Sequence, residues 1–389
     1  MDKVKVGIIG VGNMGTAHAK CISENRINNL ELCALCDLNS EKFEKFKDLK
    51  IDFYNDYKEM LKSSKLDAVI IATPHKLHCN IAIEALENNL NVLVEKPIDV
   101  TISQAKKLNE KAKISDKVFA IMFNQRTNEL FAKAKEILST GKLGKMKRTV
   151  WIVTNWYRTQ RYYDSGSWRA TWSGEGGGVL LNQAPHNLDL WQWICGMPSS
   201  VCAFCDESKY HNIEVEDDAT IITRYENGAV GTFITTTGEF PGTNRLEISG
   251  TLGKIVIENG VLKWWKLAVD EEKFRFNSDK GFSKIDYTVE EILPSKDETA
   301  HAGILQNFTN AITSGENLLS PGVDGIYELT LSNAAYLSQW KGNSEIILPF
   351  DSNEFDEMLS KKAEKSKYND NSKNEINSGE YQARWQVRW

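Results

Sequence analysis

No stretch of this chain approaches the roughly 18 consecutive apolar residues of a membrane-spanning helix, so no membrane partner is expected. An excess of positive charge is also missing: 47 Lys and Arg stand against 53 Asp and Glu, a net charge of −6. A nucleic-acid binder would carry a basic stripe, and none is expected here. The opening "MDKVKVGIIGVG" runs straight into a strand-like segment and lacks the pattern of a signal peptide. A cytoplasmic location is the expectation. The seven cysteines are odd in number and scattered, which fits reduced thiols better than a disulfide framework. Two pairs have C-x-x-C spacing, Cys33 with Cys36 and Cys202 with Cys205. Both lie in strand-like runs, where positions i and i+3 face opposite sides, so no metal site is expected.

What remains is an ordinary globular composition, 41% apolar and 26% charged, long enough for two domains. The first third is rich in signal. "KVKVGII" has a buried-strand pattern and runs into "GVGNMG", which sets Gly10, Gly12 and Gly15 in G-x-G-x-x-G spacing. In such a turn Gly10 permits the tight bend, and Gly12 lets backbone approach a pyrophosphate. Gly15 lets the helix pack close to the strand. The helix that begins at Asn13 and Met14 turns its unpaired N–H groups toward the phosphates. A second strand, "LELCALC", ends at Asp37, where a carboxylate can accept hydrogen bonds from ribose hydroxyls. Asp37 favours NAD over NADP, because a 2′-phosphate would meet like charge, and Leu38, Asn39 and Ser40 follow with no Arg.

Strand and helix patterns then alternate through "FEKFKDL", "YKEMLKSS", "LDAVIIATP", "HCNIAIEALENN", "LNVLVEKP", "ISQAKKLNEKAK" and "KVFAIMFNQR". This alternation predicts an α/β fold with a doubly wound parallel sheet over residues 1–124. Ligands of such sheets sit at the carboxyl ends of the strands. The candidate cofactor contacts collect there: Thr73, Pro74, His75, His78, Glu95 and Lys96, with Asn124 and Gln125 beyond. From 125 to 350 the pattern changes to an α+β domain with a large, open, mainly antiparallel sheet, an expected oligomer face. Residues 351–389 form a polar tail, within which "SKYNDNSKNEINSGEY" is expected to be disordered on composition. Its ending, "YQARWQVRW", carries Trp385 and Trp389, and either docks or hangs free.

Several residues could do chemistry. Lys96, in "EKP", could hydrogen-bond a substrate oxygen and stabilise a developing alkoxide, and Pro97 is a candidate for a cis bond. In "GGGVLLNQAPHNLDLWQW", a flexible glycine approach leads to Asn182, His186 and Asp189 at intervals of four and three, one face of a single helix. Asn182 is expected as the N-cap of that helix, with Pro185 in its first turn and a stop at Gly196. Alcohol oxidation needs a group that takes a proton as hydride leaves, and His186 has the intrinsic range for it. Asn182 would orient the imidazole or the substrate. The segment between holds Trp156, Tyr157, Tyr162, Tyr163, Trp168 and Trp172 among Arg158, Arg161 and Arg169. Rings beside donors suit a sugar, while about half of these aromatics are expected in the core. Tyr157, Arg158, Trp168, Arg169, Asn124 and Asn182 are the candidate substrate contacts.

Taken together, "GVGNMG", Asp37, "ATPHKLH", "EKP" and "GGGVLLNQAPHNLDL" resemble the Gfo/Idh/MocA oxidoreductases over roughly residues 3–350. The resemblance implies a Rossmann domain, an α+β domain, and dimers or tetramers. It also implies hydride exchange between NAD or NADP and a secondary hydroxyl of a sugar or cyclitol. It assigns the catalytic lysine to Lys96 and the catalytic histidine to His186. Members such as inositol dehydrogenase carry Asp four residues before that histidine, where this chain has Asn182. Related chains acting at C3 of pyranosides make glycosides a further candidate substrate. Two other functions stay open: a redox-assisted glycosidase that retains its NAD, and a non-catalytic NAD(H) sensor.

Overall fold

The apolar segment Val4–Ile9 forms the first strand, β1, in a computed structural model that describes residues 3–63, 65–166 and 168–367. The chain divides into two units. The first runs to Thr127 and takes in Thr299–Thr330; the second holds Asn128–Glu298 and the chain from Leu331.

In the first unit, helix α1 (Asn13–Ser23) follows β1, and β2 (Leu30–Cys36) and β3 (Asp52–Tyr54) come next. Then α2 (Tyr57–Leu61), β4 (Ala68–Ile71), α3 (His78–Glu87), β5 (Asn91–Val94), α4 (Ile102–Lys113) and β6 (Phe119–Ile121) alternate. The six strands form one parallel sheet in the order β3-β2-β1-β4-β5-β6. The order reverses between β1 and β4, which is where such sheets open a crevice at their carboxyl ends. Val6, Ile8 and all of Ala68–Ile71 are fully buried, as strands covered on both faces must be. "FEKFKDL" is not an α-helix: its first four residues end a 3-10 helix, Ser40–Phe46, and the rest lie beyond it. Its two buried residues, Phe43 and Phe46, are three apart, and a three-residue turn stacks them on one side.

The second unit opens with α5 (Glu129–Ser139), capped by the Asn128 side chain, and β7 (Met146–Val153). Three helices follow: α6 (Gln160–Tyr163), α7 (Val179–Asn182) and α8 (Pro185–Cys195). Then come β8 (Ser200–Glu207), β9 (Glu216–Arg224), β10 (Val230–Thr236), β11 (Asn244–Gly250), β12 (Gly253–Glu258) and β13 (Val261–Leu267). The short α9 (Glu271–Asn277) and β14 (Tyr287–Ile292) complete the strand-rich part. With the two-residue β15 (Ile346–Ile347) these make a nine-stranded sheet, β14-β13-β12-β11-β7-β10-β9-β8-β15. All its pairs are antiparallel except β7 with β10.

One face of this sheet is covered. Trp191 of α8 lies 5.5 Å from Phe233, and Phe131 of α5 lies 5.6 Å from Trp151, ring to ring. The opposite side of β8, β9, β10 and β7 carries Phe204, Ile222, Ile234, Ile152 and Val150, all partly or fully exposed.

Two domain boundaries need correction. The span 125–350 is not continuous: helix α10 (Ala300–Ser314) and the start of α11 (Gly325–Trp340) belong to the first unit. Ile304, Leu305 and Phe308 of α10 are buried in the core that holds Val6 and Ile8, so the return segment completes that core. Nor does the second unit stop at residue 350; the segment expected to be disordered, 366–381, lies outside the described residues but for its first two. Helix α12 (Ser352–Ala363) is capped by Asp351 and buries Phe355 and Leu359, with Phe355 stacked 5.4 Å from Trp340. Trp385 and Trp389 lie outside the described residues.

Candidate active site

The glycine turn after β1 fits a dinucleotide by the space around each glycine. Gly10 has φ +92°, and a Cβ there would lie 2.5 Å from the Ala72 carbonyl oxygen. At Gly15 a Cβ would lie 1.8 Å from the Gly10 carbonyl oxygen, so only glycine lets α1 approach β1 this closely. At Gly12 a Cβ would meet nothing within 4 Å. Gly12 therefore has no packing reason to be glycine, and it is the N-cap of α1, where helix N–H groups favour an anion. Asp37 does more than end β2. Its Oδ2 accepts hydrogen bonds from Val11 N at 2.8 Å and Lys42 Nζ at 3.0 Å, and its Oδ1 accepts one from Asn39 N at 3.0 Å. The carboxylate thus ties the β2 tip to the glycine turn, and Lys42 brings a cation beside it.

At the tips of β4 and β5 the polar residues brace one another. His78 Nδ1 lies 2.8 Å from the Pro97 carbonyl oxygen and Nε2 lies 2.7 Å from that of Thr73. The imidazole therefore clamps two strand tips. His75, nine-tenths buried, has its ring 6.0 Å from that of His78. Glu95 is buried; its Oε1 lies 2.7 Å from His18 Nε2 of α1, and its Oε2 accepts from Lys96 N at 3.3 Å. Burial pushes this carboxyl up, but the His18 hydrogen bond, then the charges of His18, His301 and Lys96, outweigh it and hold it below the ordinary range. Lys96 is half-buried at the start of a cis Lys96–Pro97 peptide. Thr73 Oγ1 and Asn124 Oδ1 are buried without a hydrogen-bond partner among the described residues. Such atoms are costly to leave so and suit a crevice that takes a polar ligand.

In the second unit Asn182 and His186 do not share a helix. Asn182 ends α7, Ala184 caps α8, and Pro185 is its first residue. Asn182 therefore does not cap α8; its Nδ2 donates to Glu175 Oε1 and, at 3.4 Å, to Tyr162 Oη. His186 and Asp189 do share α8; both are buried, and Asp189 Oδ1 accepts from Gln192 Nε2 at 3.0 Å. Gly196, with φ +81°, ends the helix. The glycine approach is packing rather than hinge. A Cβ at Gly178 would lie 1.9 Å from the Glu216 carbonyl oxygen, and one at Gly177 would lie 2.4 Å from Tyr336 Oη.

The aromatic segment sorts into two groups. Trp156, Tyr162, Tyr163 and Trp172 are buried; Trp168 is half-buried, and Tyr157 is exposed against Phe240, ring centroids 5.6 Å apart. Arg169 stacks over Tyr162 and Trp168, at 4.5 and 4.8 Å, and its Nη1 donates to Tyr162 Oη at 2.7 Å. Arg158 Nη1 donates to the Trp156 and Tyr157 carbonyls. Tyr162, Arg169, Glu175, Asn182 and Gln183 thus form one network, and Tyr157 stands outside it.

Comparison with known proteins fits this architecture. Residues 4–123 match the model of the oxidoreductase family with an NAD-binding Rossmann fold, and residues 131–256 match that of the GFO/IDH/MocA C-terminal domain. The chain belongs to the GFO/IDH/MocA oxidoreductase family. It is 25% identical over 340 residues to myo-inositol 2-dehydrogenase of Thermotoga maritima, covering 85% of this chain and 95% of that one. It is 24% identical over 344 residues to scyllo-inositol 2-dehydrogenase (NAD(+)) of Bacillus subtilis, covering 86% and 93%. Among solved structures, the WlbA dehydrogenase of Bordetella pertussis, in complex with NADH and UDP-GlcNAcA, matches with a TM-score of 0.74 at 25% identity. That match covers 90% of this chain and 100% of that one.

Two residues of this GFO/IDH/MocA chain escaped the sequence reading. Glu175 is 1% exposed and holds Asn182. Glu216, also buried, accepts from Gly178 N and Leu180 N at 2.9 Å and from Tyr336 Oη at 2.8 Å, so it anchors the start of α7. Burial pushes its carboxyl up to about 8, against the hydrogen bonds that pull it down. Glu175 has one sequence signal, a lone acid in glycine-rich surroundings, "SGEGGG"; Glu216 has none, because it stands among three other acids in "IEVEDDA".

Proposed function

We propose that this oxidoreductase exchanges hydride between NAD and a secondary hydroxyl or ketone of a sugar, glycoside or inositol. The observation that carries the reading is the glycine turn, where Gly10 and Gly15 are forced by packing and Gly12 is not. Gly10, Gly12, Asn13 and Met14 would hold the pyrophosphate, and Asp37 the ribose. A bound nicotinamide supplies the hydride acceptor or donor. The remaining chemistry belongs to the chain. Lys96 donates to the substrate oxygen and stabilises the charge that develops on it. His186 takes the hydroxyl proton as the carbinol is oxidised and returns it in the reverse direction. Trp168, Arg169 and Asn182 position the sugar, the ring against its C–H face and the polar groups against its hydroxyls. The inositol and sugar-nucleotide names among its relatives support a polyol substrate.

The carboxylate at Asp37 supports NAD over NADP, although Lys42 lies beside it. The seven cysteines are all unbridged, and no helix among the described residues is long and apolar enough to cross a membrane. We assign the chain to the cytoplasm as a homodimer or homotetramer. The test is NADH formation on adding a panel of inositols, sugars and glycosides. Turnover of at least one is expected. Inactivity across the panel with NADH still bound would contradict the proposal, and aglycone release without net NADH would assign retained-cofactor glycoside cleavage instead.

A further inference from the structure

Both ring nitrogens of His78 face carbonyl oxygens. Nδ1 lies 2.8 Å from that of Pro97 and Nε2 lies 2.7 Å from that of Thr73, and the residue is 1% exposed. A carbonyl oxygen only accepts, whereas a neutral imidazole has one donor nitrogen and one acceptor nitrogen. A neutral ring would hold one carbonyl and turn a lone pair against the other. Both contacts are hydrogen bonds only when both nitrogens donate, and the ring then carries a positive charge. A buried charge is costly without a counter-charge, and Asp99 supplies one. Asp99 is 3% exposed; its Oδ1 accepts from Val100 N at 2.7 Å, and its Oδ2 is buried with no hydrogen-bond partner among the described residues. Burial pushes this carboxyl up, and the Val100 N–H, then the His78 charge, pull it only part of the way back. Other titratable groups share the corner. His75 has its ring 6.0 Å from that of His78; burial pushes the Lys76 ammonium down, against the Asp99 charge; and burial pushes the Cys79 thiol well up. Glu95 is held by His18 and by Lys96 N, and Lys96 immediately precedes Pro97.

We infer that His78 is a positioning residue for Lys96: it donates from both nitrogens, with Asp99 as counter-charge, and so ties the Lys96–Pro97 segment to the tip of β4. The inference rests on the role of Lys96 in the polyol reading above. Thr73 and Lys96 stand just beyond the neighbouring strands β4 and β5, and the ring bridges the two ends. When it loses one proton, one carbonyl faces a lone pair and one side of the tie is released. The placement of Lys96 therefore depends on a proton held by a group other than Lys96 and His186.

Nitrogen NMR of the protein labelled on its six histidines reads the ring directly, and His78→Gln identifies the His78 signals. Near neutral pH the wild type is expected to show the shifts of a ring protonated at both nitrogens. The shifts of a neutral tautomer would overturn the inference and leave the polyol reading standing. Asp99→Asn keeps an oxygen for Val100 N and removes the charge. Its His78 ring should lose the second proton at lower pH than that of wild type, and with the best polyol of the panel the alkaline fall of kcat should move down with it. His78→Gln has one donor group for two carbonyls and should lose about 10- to 100-fold in kcat through a displaced Lys96. Thermal unfolding checks that both variants fold; if His78→Gln does not, the histidine signal that Asp99→Asn moves identifies the ring, and that variant decides alone. A kcat profile in Asp99→Asn that does not follow the ring, or wild-type kcat in His78→Gln, would overturn the inference. A wild type that turns over no polyol removes the role of Lys96 and this inference with it.

Discussion

At Gly12 a methyl group would meet no protein atom, whereas at Gly15 it would lie 1.8 Å from a carbonyl oxygen. The two glycines of one motif therefore answer different demands. Gly12→Ala is expected to unfold at the wild-type temperature but to bind NADH at least about tenfold more weakly, a loss of about 1.4 kcal/mol or more. Gly15→Ala should destabilise the fold by about 1–3 kcal/mol or more through overpacking. Thermal unfolding and NADH fluorescence titration separate the two; equal effects on both properties would contradict the assignment. The residue scale also shows what the sequence could and could not disclose. The glycine turn and Asp37 are legible because their spacing is local. The His78 clamp is not, because it depends on carbonyls at Thr73 and Pro97 that only the fold brings to one ring. The pairing of Asn182 with Glu175 is hidden for a similar reason: an i+4 interval to His186 imitates one helix where the chain builds two.

Among the elements, α7 depends on a carboxyl group at the start of β9. Glu216 accepts from the N-cap Gly178 N and from Leu180 N, and burial pushes its carboxyl up to about 8. In the unfolded chain it would titrate at about 4.3. Between these values the folded state keeps a proton that the unfolded state has released. Stability from this group is thus fully present below about pH 4.3 and declines as pH rises toward about 8, by at most about 1.4 kcal/mol per pH unit. Thermal unfolding across this window should show the decline, and Glu216→Gln should flatten it. An identical slope in the variant would contradict this role. The other lesson at this scale is α12. Its sequence is mostly polar, and only Phe355 and Leu359, four apart, are buried. So narrow a stripe is lost in a compositional reading, yet Phe355 is fully buried on Trp340. Phe355→Ala is expected to cost about 3–5 kcal/mol in a denaturant titration; a change below about 1 kcal/mol would show the helix to be dispensable.

For the whole molecule, the parallel sheet was readable from alternating apolar strands and helices, and the mainly antiparallel sheet from turn residues at Gly228 and Gly260. The return of Thr299–Thr330 to the first unit was not, since an amphipathic helix such as α10 carries no mark of which core it fills. The open face bearing Phe204, Ile222 and Ile234 supports a self-association surface. Ile222→Lys should reduce the dimer or tetramer toward monomer in light scattering, and a wild-type monomer would remove the proposal. The central claim is that Lys96 and His186 carry hydride-coupled proton chemistry on a polyol. The most direct test follows NADH formation by wild type, Lys96→Ala and His186→Ala over the inositol and sugar panel, with NADH binding measured alongside. The account predicts turnover by wild type and a fall of about 100-fold or more in each variant, with His186→Ala still binding NADH. Wild-type rates in both variants, or a wild type that binds NADH and oxidises nothing in the panel, would contradict it.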